Sequence, residues 1–411
     1  MPVGLYIHYP YCLRRCPYCD FAVEVARPQA DAPFGDTLLA ELELRVARGD
    51  WAVGRWIDTL YVGGGTPSLW HPAAVGSFLA RLRAIAQWDD GAEVTLEANP
   101  ERLDVGRLCA LRALGFNRLS LGAQSLDETR LKLLGRRHKP QHVATAMKAA
   151  REAGFDNISM DFIYGLPGQT ETDVSLEIEG MLALSPEHLS AYALTLTPEF
   201  LAVPVPMAAR FEKQGQKQPE DGVMVKMADR IRTACESHGL SGYEISNFAR
   251  AGFEARHNQG YWTQGEWLAL GPSASGTLAK GEEVTRYTNV RSVSEWAQAV
   301  GEGRMPDAER ESLDAQARFT EAVMLGLRLA RGVDFAAVSQ QHGIATDARA
   351  ESVLAQLAQD GFLARKEGFV ALTNKGRALH GEISARLMAQ MPAAPGPARA
   401  TEASRLHLRT D

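Results

Sequence analysis

The chain reads as an α/β protein: an open, partial (β/α)6 barrel followed by a small winged-helix-like α+β module. Three observations predict this. From residue 3 to about 200, short β-branched or apolar runs alternate with helical periodicity, each run ending in glycine, proline or polar residues. The alternation occurs six times, which is short of a closed eight-stranded barrel. From about residue 310, "DFAAVSQQHG", "ARAESVLAQLAQDGFL" and "ARKEGFVALTNKGRAL" read as helix, helix and β-wing.

Taken in order, "GLYIH" is the first strand, and "DTLLAELELRV" the helix after it, with Leu38, Leu39, Leu42 and Val46 along one face. "DTLYV" is the second strand and runs into "GGGTP". The helix "HPAAVGSFLARLRAIA" has Val75, Phe78, Leu79, Leu82 and Ile85 at helical spacing and Pro72 near its start, where a missing N–H is tolerated. "EVTLEANP", "FNRLSLGAQS", "ISMDFIYGLPGQT" and "HLSAYALTL" are strands three to six. Beyond them, "EKQGQKQPEDG" is a polar loop, "VMVKMADRIRTACESHG" a helix and "GYEISNFARAG" a strand leading into "RHNQGYW". The expected divisions are a barrel core over 1–240, a connecting segment over 241–305, the winged-helix-like domain over 306–388 and a disordered Ala- and Pro-rich tail over 389–411.

Composition narrows the function classes. A hydrophobic share of 45% and a charged share of 23% suit a globular core, and no apolar run is long enough to span a bilayer. "MPVGLYIHYP" has neither a basic start nor an apolar signal core, which predicts a cytoplasmic chain. A net charge of -6 gives no general attraction to nucleic acid or anionic lipid, and the winged module lacks a basic recognition face.

In such folds chemistry collects in the loops that follow the strands, and the unusual residues sit there. "CLRRCPYCDF" follows strand one and holds Cys12, Cys16 and Cys19. The other two of the five cysteines, Cys109 and Cys235, lie in helical stretches and read as small core or near-surface residues. Three thiols on one tight loop suit three corners of an iron–sulfur cubane whose fourth corner finds its ligand elsewhere. They also suit zinc, with His8 four residues before Cys12 completing a tetrahedron. The glycines of "VGGGTP" let backbone approach a ligand closely and leave N–H groups to bind it. Glu97 closes strand three and could bind a ribose; Arg136 could pair with a carboxylate in a planar fork.

The spacing C-x3-C-x2-C with Tyr18 before the last cysteine resembles the radical S-adenosylmethionine superfamily. "YIHYPYC", "CPYCDF", "GGGTPS", "EANPE", "NRLSLGAQSLDE", "LGRRH", "DFIYGLPGQT", "YEISNFA" and "RHNQGYW" narrow it, from about residue 3 to 385, to the oxygen-independent coproporphyrinogen oxidase family and its HemW-type heme chaperone branch. The resemblance implies a [4Fe–4S] cluster on Cys12, Cys16 and Cys19, and S-adenosylmethionine contacts at Tyr6, Gly64 and Glu97. It implies a second set, for a second such molecule, at Tyr18, Gly65, Thr66, Gln124, Arg136, Asp161 and Ala193. "HNQGYW" resembles an element associated with heme binding in that branch, which marks His257, Tyr261 and Trp262. Phe21, where the oxidase branch carries a further cysteine, and the short segment before strand one both point to the chaperone branch. The role implied is delivery of heme to a respiratory acceptor, with membrane contact only through that acceptor and a homodimer allowed. Radical decarboxylation of coproporphyrinogen III and a zinc-stabilised binding module are the alternatives.

Overall fold

The computed structural model describes residues 3–25, 31–51, 54–196, 201–344 and 347–390. The tail expected from residue 389 lies, from 391 onward, outside them.

Six parallel strands follow one another in chain order across the main sheet: β1 (Val3–Tyr9), β2 (Trp56–Gly64), β3 (Gln87–Ala98), β4 (Arg118–Gln124), β5 (Ile158–Tyr164) and β6 (His188–Ala193). Their connections carry α1 (Asp31–Arg48), α2 (Pro72–Ile85), α3 (Val105–Ala113), α4 (Glu128–Leu133), α5 (Pro140–Glu152) and α6 (Glu171–Leu182). All six strands read from the sequence are present. Side chains alternate between the two faces of each strand, and the alternation here is chemical. Leu5 and Ile7, Leu60 and Val62, Leu96, Leu119 and Leu121, Met160 and Phe162 share one apolar core with Leu38, Leu42, Phe78, Leu79 and Leu82 of the helices. The residues between them are polar: Tyr6 and His8, Thr59 and Tyr61, Glu93, Thr95 and Glu97, Arg118 and Ser120, Ser159 and Asp161, His188 and Ser190. A parallel sheet usually buries apolar runs on both faces. A polar inner face is instead suited to hold a ligand.

The sheet does not end with these six. Beyond β6, β7 (Asn247–Ala249) pairs antiparallel with it. On the opposite edge β8 (Trp267–Leu270) lies parallel to β1, with Leu5 opposite Leu268, and β9 (Ser275–Lys280), β10 (Glu283–Asn289) and β11 (Asp307–Leu313) continue outward antiparallel; with the two-residue strand Ser241–Gly242, which pairs with β7, the sheet has twelve strands among the described residues. The stretch expected only to connect two domains thus supplies much of one edge of the sheet. Glu41 of α1 fastens this edge. Its carboxylate accepts from Gly271 N at 2.9 Å, Trp296 Nε1 at 2.8 Å and Asn289 Nδ2 at 2.7 Å.

Helices α7 (Pro206–Gln214) and α8 (Asp221–Ser237) follow β6, while α9 (Arg256–Trp262) and α10 (Val293–Gly301) flank the edge strands. The C-terminal module has its own core, with Phe319, Val323, Leu354, Leu357, Leu363, Val370 and Ile383 in one cluster. It comprises α11 (Ala315–Gly326), α12 (Phe335–His342), α13 (Ala348–Gln359), the hairpin β12 (Leu363–Lys366) and β13 (Phe369–Leu372), and α14 (His380–Met388), as the helix, helix and wing pattern predicts. Two ion pairs clamp it to the sheet: Arg286 reaches both oxygens of Glu321 at 2.6 and 2.7 Å, and Arg328 pairs with buried Glu244 at 3.1 Å. Among the described residues no helix is long and apolar enough to cross a membrane.

Candidate functional site

The loop after β1 folds back on the loop after β2. Gly65 N donates to Tyr9 O at 2.7 Å and Thr66 N to Tyr11 O at 2.9 Å, so the cysteine loop starts zipped to the glycine loop. Glycine is required there because a Cβ on Gly65 would sit 2.7 Å from Tyr11 O, and Gly64 combines a φ of +107° with His8 directly beneath it. These bonds correct one expectation. Gly64 N goes to Glu97 Oε2 at 3.0 Å, so the amides of Gly64, Gly65 and Thr66 are all spent inside the protein. What the glycines provide is close approach, with backbone carbonyls rather than amides left to meet an amino group.

Each cysteine sulfur receives a donor of its own. Thr66 Oγ1 donates to Cys12 Sγ at 3.5 Å, Arg136 Nη1 to Cys16 Sγ at 3.7 Å, and the Phe21 backbone N–H to Cys19. Two of these donors are joined by Asn99, whose Nδ2 donates to Thr66 Oγ1 at 2.9 Å and whose Oδ1 accepts from Arg136 Nη2 at 2.7 Å. A continuous chain Cys12–Thr66–Asn99–Arg136–Cys16 therefore runs across the strand ends. Asn99 stands out in the sequence, with Glu97, as a polar residue that closes the third strand, though without an assigned role. It lies two residues beyond Glu97 at the end of the same strand, and that period of two was the available signal.

Burial raises the Cys12 thiol and pushes Cys19 up to about 12, with the neighbouring thiols adding to both. Metal binding must displace these protons. The donors favour thiolates once iron is present, and hydrogen bonds to ligating sulfur are how a protein tunes such a centre. Among the described residues no three His, Cys, Asp or Glu side chains are grouped to hold one metal ion. His8, the fourth ligand a zinc site would need, is engaged on both ring nitrogens: its Nε2 meets Ala22 O at 2.9 Å and its Nδ1 meets Tyr6 OH at 3.0 Å. A cubane takes each thiolate on a different iron, and the three separately solvated sulfurs fit it.

Behind the loop, Tyr61 OH donates to Glu97 Oε1 at 2.8 Å, so Glu97 ties the second strand to the third, and Tyr6 stacks on Tyr61 at 6.2 Å. Arg136 holds Gly122 O at 2.7 Å, while its buried Nε has no partner. An arginine fork with a spare N–H beside the cysteines fits a ligand carboxylate. Gln124 sits at the end of β4 with φ +64°, a strained backbone of the kind found at binding sites, and its Nε2 lies in the same cluster beside Gly122. Asp161 accepts from Ser120 Oγ at 3.1 Å, and burial pushes it up to about 6 against the pull of Ser120, Ser190, Arg118 and Arg136. Tyr18 packs against Leu134, Ile163, Leu166 and Met207, and Ala193 ends β6. Most of the expected cluster and S-adenosylmethionine residues thus gather at the C-terminal ends of the strands, with Tyr6 and Asp161 further in along β1 and β5.

The third expected group does not join them. His257 is on α9 at the opposite end of the inner face, 3% exposed, near Gly4 and stacked on Tyr61 at 5.4 Å. Glu93 holds that helix start by accepting from the amides of Arg256 at 2.9 Å and His257 at 3.0 Å. An axial ligand needs a free ring nitrogen. Here Nδ1 is bonded to Thr59 Oγ1 at 2.8 Å and Nε2 to Tyr261 OH at 2.7 Å. Trp262 is packed with Leu325 and Leu329 under the Arg328 guanidinium, 4.2 Å from its ring. His257, Tyr261 and Trp262, the residues expected to meet heme, thus lie apart from the cysteine rim, where the barrel meets the C-terminal module.

Known proteins resemble this chain over nearly its whole length. The Radical SAM superfamily model matches residues 6–177, and the HemN C-terminal domain model matches residues 313–379. The heme chaperone HemW of Mycobacterium tuberculosis (strain ATCC 25618 / H37Rv) is 35% identical over 92% of this chain and 93% of its own length. The heme chaperone HemW of Bacillus subtilis (strain 168) is 31% identical over 94% of this chain and 99% of its own. Among solved structures, the coproporphyrinogen III oxidase HemN of Escherichia coli superposes with a TM-score of 0.79 at 26% identity, covering 94% of this chain and 90% of that one. With this identity over nearly full length and this fold, the chain belongs to the HemW heme chaperone family of the radical SAM superfamily.

Proposed function

We propose that this chain is a heme chaperone that carries a [4Fe–4S] cluster on Cys12, Cys16 and Cys19, takes S-adenosylmethionine at the cluster's fourth iron, and passes heme to a respiratory acceptor protein. The observation that carries the cluster reading is the set of three sulfurs, each with its own donor, at the polar mouth of the inner face.

When bound, the cluster supplies a single electron to the sulfonium of S-adenosylmethionine. The protein's part is binding and orientation. Arg136, with an N–H to spare, would take a carboxylate, and Glu97, positioned by Tyr61 and Gly64, would meet a ribose edge. Gly64 and Gly65 let the cofactor approach backbone. Tyr6, Tyr18, Thr66, Gln124, Asp161 and Ala193 complete one or two cofactor sites around them. Heme is the cargo, with His257, Tyr261 and Trp262 of α9 as the segment that would meet it once the bonds of the imidazole to Thr59 and Tyr261 are exchanged.

The test uses anaerobically reconstituted protein. Heme titration should saturate near one heme per chain, and the loaded protein should activate a heme-free respiratory acceptor. Release of protoporphyrinogen from coproporphyrinogen III under reductant would instead favour the oxidase reading, which the likeness to HemN makes the proper control. Failure to bind heme with the cluster intact would overturn the chaperone reading.

A further inference from the structure

The inner face carries one guanidinium that the chemistry at the cysteine rim leaves unused. Arg118 opens β4 and is 2% exposed. Burying a charge costs several kcal/mol unless a partner compensates, so a buried arginine is normally paired. No ion pair to Arg118 is present among the described residues, and its Nε has no acceptor. The surrounding carboxylates are committed elsewhere: Glu93 to the amides of Arg256 and His257, Glu97 to Tyr61 and Gly64, Asp161 to Ser120, Glu244 to Arg328 and Asn247.

A second orphan lies beside it. Thr95 is in register with Arg118 on the neighbouring strand, fully buried, and its Oγ1 also has no partner. The charge of Arg118 is felt by Tyr61, Asp161, His188 and His257, which places the guanidinium on the inner face and not among the helices. Both histidines are held neutral by burial, and among the described residues no carboxylate comes within ion-pair distance of Arg118.

We propose that Arg118, with the Thr95 hydroxyl beside it, is the docking point for a carboxylate of a ligand that enters the inner face from the cysteine rim. This rests on the functional reading above, which supplies two sources of that group: the amino-acid carboxylate of a second S-adenosylmethionine, distinct from the one at the cluster, and a propionate of heme.

The test compares ligands with and without the carboxylate on reconstituted wild type, Arg118→Gln, Arg118→Lys and Thr95→Val, with cluster content checked by iron analysis. Arg118→Gln should weaken one carboxylate-bearing ligand by about tenfold or more, with Arg118→Lys in between. The matching probe, decarboxylated S-adenosylmethionine or heme dimethyl ester, should bind wild type and variant alike. Whichever pair shows the difference identifies the source. Equal affinity of wild type and Arg118→Gln for both carboxylates, or equal loss with the carboxylate-free probes, overturns the proposal. If Arg118→Gln does not fold, Arg118→Lys and Thr95→Val carry the same comparison with smaller losses. If wild type binds neither ligand, the functional reading fails instead, and labelled acetate then reads the site. NMR line broadening in wild type that Arg118→Lys reduces supports the site, and equal broadening overturns it.

Discussion

At the rim of the inner face Thr66, Arg136 and the Phe21 amide each aim a donor at a different cysteine sulfur, whereas at the floor His257 has both ring nitrogens tied to neighbours. The same sheet builds both ends. At the rim the strands run out into loops whose side chains keep bonding capacity for something not part of the chain. At the floor, α9 is pressed between barrel and C-terminal module, and Arg118 with Thr95 retains the unspent groups. The contrast separates two sets of residues that the sequence presents with equal prominence: the cysteines are arranged for chemistry, and HNQGYW is arranged to hold two bodies together.

The largest effect that bears on this contrast is removal of a sulfur. Cys16→Ser should abolish the brown iron–sulfur absorbance after anaerobic reconstitution while leaving far-UV circular dichroism unchanged, since Cys16 is not part of a core cluster. Retention of full iron content would break the assignment of the rim. Next comes the joint at the floor. Arg328→Met strands the fully buried Glu244, so unfolding should become easier by roughly 3–5 kcal/mol in urea titration, with iron content per folded chain unaltered. Loss of the cluster in folded Arg328→Met would mean the two ends are not separable. A smaller effect is expected from Asn99→Leu, which interrupts the chain between Thr66 and Arg136: S-adenosylmethionine affinity should fall about tenfold by calorimetry, as for one lost charge-assisted bond.

The smallest is a pH effect. Burial holds His138, His257 and His380 down to about 4, about 3 and about 4. The unfolded chain takes up those protons at about pH 6.5 and the folded chain does not, so stability is full above that pH and falls as pH drops below it, by about 1.4 kcal/mol per pH unit for each proton. Asp161, pushed up to about 6, works in the opposite direction and offsets one of them between about pH 6 and 4. The urea midpoint of metal-free protein should therefore be flat between about pH 7 and 8, decline on acidification, and decline again above about pH 8.5, where the unfolded chain releases the thiol protons that the folded chain keeps. A midpoint that rises as the pH falls below about 7 would show that the floor histidines are not sealed.

Much of this was legible in the sequence because local pattern carries it. The six strands follow from short apolar runs with polar residues at every second position, and the rim follows from motifs placed at strand ends. The helix, helix and wing pattern announced the C-terminal module in the same way. What was not legible depends on distant pairing. "WLAL" is too short an apolar run to identify as a strand, and its parallel partnership with Leu5 to Ile7 joins residues more than two hundred positions apart. The fate of the glycine-loop amides was hidden because their acceptors, Tyr9, Tyr11 and Glu97, come from other strands. The surroundings of His257 were hidden for the same reason: a motif gives residue types, but its ring partners Thr59 and Tyr261 are set by the fold.

The central claim is that the rim holds a [4Fe–4S] cluster whose fourth iron takes S-adenosylmethionine. Electron paramagnetic resonance of the reduced, anaerobically reconstituted protein tests it most directly, recorded without and with S-adenosylmethionine alongside iron and sulfide analysis. The account predicts about four irons and four sulfides per chain and a cluster signal that changes on adding the cofactor. Zinc in place of iron, or a cluster signal that S-adenosylmethionine leaves unchanged, would contradict it.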